Sequence, residues 1–249
     1  MASMIDAGFI VVGHRGLSGK KTENTIESFK AAAMAGARAV ELDVQLSRDG
    51  VPVVFHDFST SRLCSIDKRI IDMSLAGIKE LRIAGKWEIP TLTEVFNAIP
   101  GTHIFVELKV SFSSSREEKL ALCRAVRNAV LKGRSENRVT IISFDPESLL
   151  LYGELDRKAL LGLDYDSESV GYLENHGQRI QDLLSRFRIL LPDHEFHSEE
   201  NLSDLVRTGK RILPWTVNSH ARAAKLKEIG AAGIITDNAD EMIDLDTDS

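Results

Sequence analysis

Short apolar runs alternate with amphipathic segments along almost the whole sequence, and that rhythm limits the folds open to it. The runs lie at 9–12, 39–44, 51–55, 104–108, 139–144, 159–163, 187–191, 211–217 and 233–236. Between most of them, apolar residues recur with helical spacing, at 25–35, 117–131, 146–155, 178–185, 199–208 and 221–229. Repeated strand–helix pairs predict a parallel sheet with helices packed outside it. A single TIM (β/α)8 barrel needs about 250 residues, and the chain has 249. No Pro-, Gly- or Ser-rich linker divides it, so residues 1–249 are expected to form one domain.

Nine runs are one too many for an eight-stranded barrel. Asp49-Gly50 resolves the count, because such a pair is a strong two-residue hairpin signal. A parallel crossover would need far more than the few residues between the second and third runs. The third run is therefore read as the return arm of a hairpin, and a two-residue turn sets Asp43 opposite His56. Residues 59–89 then break the rhythm with a polar stretch and an amphipathic piece at 70–83, which reads as a small insertion. Thr91 and Glu94 have capping-box spacing, and Ser198 and Ser219 are placed to cap later helices.

Composition excludes several classes. Hydrophobic residues at 43% and charged residues at 27% describe a globular chain, not a disordered one. A net charge of -6, with no dense basic run, argues against a nucleic-acid-binding protein. No apolar run approaches the roughly 18 residues of a membrane span, so no stable membrane anchor is expected. Residues 1–6 lack a basic n-region, and Cys64 and Cys123 are too few for a disulfide framework; both features fit a cytoplasmic protein. The two cysteines are read as small buried hydrophobes. Homo-oligomers are common among soluble enzymes, so self-association is compatible with this class.

The charged residues in the apolar runs carry the chemistry. Glu41 and Asp43 are two apart in a strand, so both leave the same face while Leu42 packs on the other. Such acids are costly to bury unless paired or bound to a cation; two exposed residues on a strand edge are the plainer alternative. Glu107 and Lys109 repeat the spacing at the end of another run, either as an ion pair or as part of a site. Three carboxylates converging on a barrel mouth would repel an anion, and a hard divalent cation, Mg²⁺ or Ca²⁺, removes that conflict. His14, closing the first strand, and His56 provide two proton-transfer groups, and Arg15 and Lys109 suit phosphate oxygens. Two imidazoles and a metal match the needs of phosphodiester cleavage. His103 falls at the opposite end of a strand, His176 and His220 lie in polar stretches, and His194 to His197 read as a polar loop.

Read together, His14-Arg15-Gly16, Glu23-Asn24-Thr25 with Phe29, Glu41-Leu42-Asp43-Val44, Asp49-Gly50, Val53-Val54-Phe55-His56-Asp57, Glu107-Leu108-Lys109, Trp215-Thr216-Val217-Asn218 and Ile235-Thr236-Asp237 resemble the glycerophosphodiester phosphodiesterase family. The ordered set spans nearly the whole chain. One departure is Thr22, where the family usually has proline before Glu-Asn-Thr. The resemblance implies a TIM barrel with a small insertion after His56, at 59–89. It implies that Glu41, Asp43 and Glu107 bind Mg²⁺ or Ca²⁺ and that His14 and His56 are the acid–base pair. Arg15 and Lys109 would contact phosphate, and Trp215 would line the glycerol side of the pocket unless it serves only as core. Asp237 is placed to orient a neighbour. The expected reaction is metal-dependent hydrolysis of a small-molecule glycerophosphodiester to sn-glycerol 3-phosphate and an alcohol. A lysophospholipase D acting on lipid diesters is the alternative, against which stands the lack of an exposed aromatic cluster or basic amphipathic helix. A non-catalytic phosphodiester-binding barrel would be attractive only if one of these groups were missing.

Overall fold

In the computed structural model, which describes residues 8–246, each of the nine apolar runs carries a strand. They are β1 (Ile10–Gly13), β2 (Ala39–Leu46), β3 (Pro52–Val54), β4 (His103–Leu108), β5 (Val139–Ser143), β6 (Leu160–Tyr165), β7 (Ile189–Pro192), β8 (Arg211–Ile212) and β9 (Gly233–Thr236). Eight of them form the parallel sequence β8-β7-β6-β5-β4-β2-β1-β9, and β3 pairs only with β2, antiparallel. The circle closes through backbone bonds from Ala232 N to Ile212 O (2.8 Å) and from Ile235 N to Pro214 O (2.9 Å). The expected run at 211–217 is a regular strand only to Ile212, since Pro214 cannot donate to a ladder.

Helices α1 (Ile26–Met34), α2 (Ser61–Cys64), α3 (Leu75–Lys79), α4 (Leu92–Ala98), α5 (Arg116–Lys132), α6 (Pro146–Leu155), α7 (Ser167–Asn175), α8 (Ile180–Arg186), α9 (Glu199–Arg207) and α10 (His220–Glu228) fill the connections. Thr91 and Glu94 form the reciprocal capping box of α4, and Ser198 and Ser219 cap α9 and α10. Helix α7 has no counterpart in the periodicity, because Gly171 interrupts it and few of its positions are apolar. Asp166 nucleates it by capping the Ser169 backbone N–H.

Apolar residues separate into an outer layer between sheet and helices, a barrel interior and an insertion cluster. The interior is narrow. A Cβ on Gly162 would lie 2.7 Å from a Leu191 methyl and 3.1 Å from Ile142 and Ile189, so β6 carries no side chain there. The insertion contributes α2, a 3₁₀ turn at Ile70–Asp72 and α3, whose apolar residues Cys64, Ile70 and Ile78 pack on Val53 and Phe55. Cys64 and Cys123 are both buried free thiols.

The hairpin is present, but its turn differs from the expected one. Val44 faces Val54 and Gln45 faces Val53. Ser47 N bonds to Val51 O at 3.0 Å around the three residues Arg48, Asp49 and Gly50. Only Gly50 is left-handed, at φ +80°. This is a three-residue loop with its glycine in the αL position, which slips the register by one residue. Asp43 therefore faces Phe55, whose N–H bonds to Asp43 O at 3.0 Å, and not His56.

At the base of β4, His103 is buried and its Nε2 lies 2.9 Å from Thr140 Oγ1. Burial, with Arg138 nearby, pushes its pKa down to about 4. A folded state that resists protonating a histidine loses stability as pH falls from the unfolded value near 6.5 toward 4. This one group should cost about 2 kcal/mol by pH 5. Urea unfolding at pH 7 and pH 5 should show His103→Gln losing less stability across that interval than the unaltered protein; equal losses would contradict the assignment.

Candidate active site

Period-two alternation builds the site at the C-terminal mouth of the barrel. Val12, Ala39, Phe105 and Ile235 line the apolar interior. Two residues onward, the same inner faces carry His14, Glu41, Glu107 and Asp237. One further step on β2 and β4 adds Asp43 and Lys109. Strands β2 and β4 set Asp43 beside Glu107, so the two same-face pairs of the sequence meet as neighbours. Ligand oxygens of Glu41, Asp43 and Glu107 all lie within 4.8 Å of one another, and all three residues are buried.

Cations surround this triad. Lys109 Nζ donates to Glu107 Oε1 at 2.9 Å and lies 3.4 Å from Asp43 Oδ1. Arg15 Nε is 3.3 Å from Asp43 Oδ2, and Arg15 Nη1 donates to Glu23 Oε1 at 2.8 Å. A left-handed turn at Arg15 (φ +52°) and Gly16 (φ +91°) also aims the Arg15 backbone N–H at Glu41 Oε2, 3.0 Å away. Asn24, itself left-handed, donates from Nδ2 to Asp43 Oδ2 at 2.8 Å.

These contacts split the acids. Burial alone would raise Asp43, but Lys109, Arg15 and His56 outweigh it and hold this carboxyl well below the usual range. Burial, then Asp43 and Glu107, drives Glu41 well above it. Glu107 is pushed up to about 7 by burial and by Asp43, against the pull of Lys109. A fourth buried acid, Asp164 on β6, is raised well above the usual range by burial, Glu107 and Glu41, and its Oδ2 has no hydrogen-bond partner. Four buried carboxyls thus outnumber two cationic side chains, and ionising all four would leave the site two positive charges short of balance. An all-oxygen donor set with that deficit suits a hard divalent cation.

Two histidines reach the triad, one at Glu41 and one at Asp43. His14 Nδ1 lies 2.7 Å from Asp237 Oδ1, and His14 Nε2 lies 4.0 Å from Glu41 Oε2. His56 Nδ1 lies 2.6 Å from Asp57 Oδ1, and His56 Nε2 lies 4.0 Å from Asp43 Oδ1. A carboxylate only accepts, so each neutral ring carries its proton on Nδ1 and presents the Nε2 lone pair to the triad. Ser18 and Asn218 hold Asp237, each at 2.7 Å. Despite partial burial, the bonds from His14, Ser18 and Asn218 keep Asp237 well below the ordinary range. Arg62 from the insertion pairs with both Asp57 and Glu23. Burial lowers the His56 pKa, helped by Lys109 and Arg15 and opposed by Asp43 and Asp57.

His56 arrives by a bend after β3, not by the cross-strand pairing expected of it. Gln45 secures the bend, donating from Nε2 to Phe55 O and Asp57 O at 2.8 Å each. Gln45, Asp57 and Asp164 went unassigned in the sequence. Asp164 shares the strand-end position of the other acids, but the apolar run stops at Leu163, one residue before it.

The site opens into a cleft of about 570 Å³. Trp215 lines it, donates from Nε1 to Leu191 O at 2.8 Å and meets Phe144 edge-on at 5.6 Å. Phe112 stacks on Tyr172 at 4.4 Å, and Phe58 is 48% exposed at the mouth. These rim aromatics are scattered from 58 to 215 in the sequence, which is why no cluster was visible there. His103 and His220 lie elsewhere, and His194 Nε2 is 3.1 Å from Thr216 O. Among the described residues the acidic triad is the one group arranged to hold a metal, and no helix is long and apolar enough to cross a membrane.

Comparison with known proteins agrees with this geometry. Residues 14–241 match the model of the glycerophosphoryl diester phosphodiesterase family. A glycerophosphodiester phosphodiesterase of Caldanaerobacter subterraneus subsp. tengcongensis is 31% identical over 251 residues, covering 95% of this chain and 97% of that protein. A lysophospholipase D of Homo sapiens is 25% identical, covering 94% and 84%. The solved structure of an Oleispira antarctica phosphodiesterase in complex with the product sn-glycerol-3-phosphate is 27% identical, with a TM-score of 0.80 over 94% of this chain and 95% of that one.

Proposed function

The chain belongs to the glycerophosphoryl diester phosphodiesterase family, and we propose that it hydrolyses glycerophosphodiesters to sn-glycerol 3-phosphate and an alcohol. One observation carries the proposal: two histidines, each anchored at Nδ1 by a carboxylate, present Nε2 to one buried acidic triad. The product bound by the Oleispira relative supports the substrate class.

Glu41, Asp43 and Glu107 would hold Mg²⁺ or Ca²⁺, which supplies positive charge to the non-bridging phosphoryl oxygens. Arg15 and Lys109 bind oxygens of the same phosphate and keep it in register with the histidines. One histidine removes the proton of the attacking hydroxyl, which is water or a substrate glycerol hydroxyl that first forms a cyclic phosphate. As the bond from phosphorus to the alcohol oxygen breaks, the other histidine gives that oxygen a proton. Asp237 and Asp57 fix ring orientation and stabilise whichever ring is charged. Trp215 packs against the glycerol carbons. A single barrel domain, 1–249, carries this site, and its insertion at 59–89 braces His56 through Arg62.

The aromatic rim and the human relative favour one other reading, a lysophospholipase D acting on lipid diesters. Parallel assays with glycerophosphocholine and a lysophosphatidylcholine, each with Mg²⁺, Ca²⁺ or chelator, separate the two. The water-soluble diester should be cleaved at least about tenfold more efficiently, and only with a cation; the reverse preference would establish the lipid reading.

A further inference from the structure

Arg15 and His56 reach the cleft from separate parts of the chain, one after β1 and one after β3. A single side chain touches the carboxylate behind each of them. Arg62, on α2 of the insertion, donates from Nη1 and Nη2 to the two oxygens of Glu23, both at 2.8 Å. Its Nε and Nη2 also donate to the two oxygens of Asp57. Glu23 Oε1 accepts in turn from Arg15 Nη1 at 2.8 Å, and Asp57 Oδ1 lies 2.6 Å from His56 Nδ1. Arg15, Glu23, Arg62, Asp57 and His56 therefore form one continuous chain, from a phosphate-binding guanidinium to a proton-transfer ring.

The bridge has a footing of its own. Cys64 N donates to Thr60 O and Ala84 N donates to Leu63 O, both at 2.8 Å, which ties α2 to the rest of the insertion. Cys64 packs in one cluster with Val53 and Phe55, just ahead of His56. An isolated ion pair on a side chain 47% exposed would contribute little. A planar fork that grips two carboxylates by both oxygens is different, because an ammonium cannot reproduce it. Burial would raise both acids, but Arg62 with Arg15 holds Glu23 below its ordinary range, and Arg62 with His56 does the same for Asp57. Without Arg62, both Glu23 oxygens become open to the Arg15 fork and compete with phosphate for it. Asp57 at the same time loses the partner that steadies it against the imidazole.

Resting on the phosphodiesterase reading above, we propose that Arg62 and Glu23 are positioning residues that couple phosphate binding by Arg15 to proton transfer at His56. The insertion thereby acts on turnover and not only on folding.

Steady-state hydrolysis of glycerophosphocholine with Mg²⁺ or Ca²⁺ tests this, with thermal melting to confirm that each variant is folded. Arg62→Ala should lower kcat about tenfold through Asp57 and raise KM about threefold or more through Glu23 and Arg15. Arg62→Lys should restore little of either, since one ammonium cannot serve four oxygens. Glu23→Gln should raise KM and, across the bridge, also lower kcat. In an Arg62→Ala background the same Glu23→Gln change should leave kcat where it was, the non-additivity of one connected network. Arg62→Lys takes the place of Arg62→Ala in this cycle if the alanine protein does not fold. Millimolar guanidinium chloride should recover part of the lost kcat of Arg62→Ala where sodium chloride at equal ionic strength does not. Full kcat in Arg62→Lys, or a Glu23→Gln effect on kcat that is the same with and without Arg62, overturns the coupling and leaves the phosphodiesterase reading standing. Failure of the unaltered protein to cleave the diester overturns both.

Discussion

His56→Ala and His14→Ala each lower kcat for glycerophosphodiester hydrolysis by about 10²- to 10⁴-fold, the range expected when a positioned acid or base is lost. KM changes far less, because neither ring is the main phosphate contact. The two effects are not additive: once one proton transfer has become limiting, removing the second ring costs little more. Asp237→Asn and Asp57→Asn report on the anchoring separately. An amide can donate to Nδ1 and so favours the tautomer with its proton on Nε2, which turns the lone pair away from the cleft. These variants should lose about 10- to 100-fold in kcat, by analogy with second-layer partners of reactive groups. Retained turnover in both alanine variants would remove the histidines from the mechanism.

The second large effect concerns the triad. With two more acids than cations at the barrel mouth, a divalent ion should stabilise the folded protein as well as activate it. At a hundredfold excess over its dissociation constant, an ion binding only the native state adds about 2.7 kcal/mol. For a chain of this size that corresponds to a rise of about 5–10 °C in Tm. Glu41→Gln and Glu107→Gln should abolish that rise and reduce kcat on the order of 10³-fold. Without added metal, Glu41→Gln should melt no lower than the unaltered protein, since burial and neighbouring acids already oppose the Glu41 charge. Calorimetric melts with Mg²⁺, Ca²⁺ and chelator check this. Metal-dependent stabilisation that persists in Glu41→Gln would remove the carboxylate from the proposed ligand set.

Much of this arrangement was legible because strand periodicity is strict. Glu41 and Asp43, and again Glu107 and Lys109, had to share faces, and alternation carried both pairs into the mouth of the barrel. The eight-strand count was also readable, since too few residues separate the second and third runs for a crossover. The turn was not. Asp49-Gly50 signals a tight reversal, but Ser47 bonding to Val51 adds a residue to the loop and shifts the register. His56 is nevertheless next to Asp43, because the chain leaves the strand after Val54 and Gln45 gathers the carbonyls of the bend. Long-range contacts escaped for a general reason. Arg62 on Glu23 and Phe112 on Tyr172 depend on chain paths that no local pattern specifies.

The central claim is that this cleft breaks the phosphodiester on the alcohol side and leaves phosphate on glycerol. Phosphorus NMR of glycerophosphocholine incubated with the protein and Mg²⁺ or Ca²⁺ tests it most directly. The account predicts loss of the diester resonance and growth of sn-glycerol 3-phosphate, with no change when chelator replaces the cation. Persistence of the diester under all conditions, or appearance of phosphocholine with free glycerol, would contradict it.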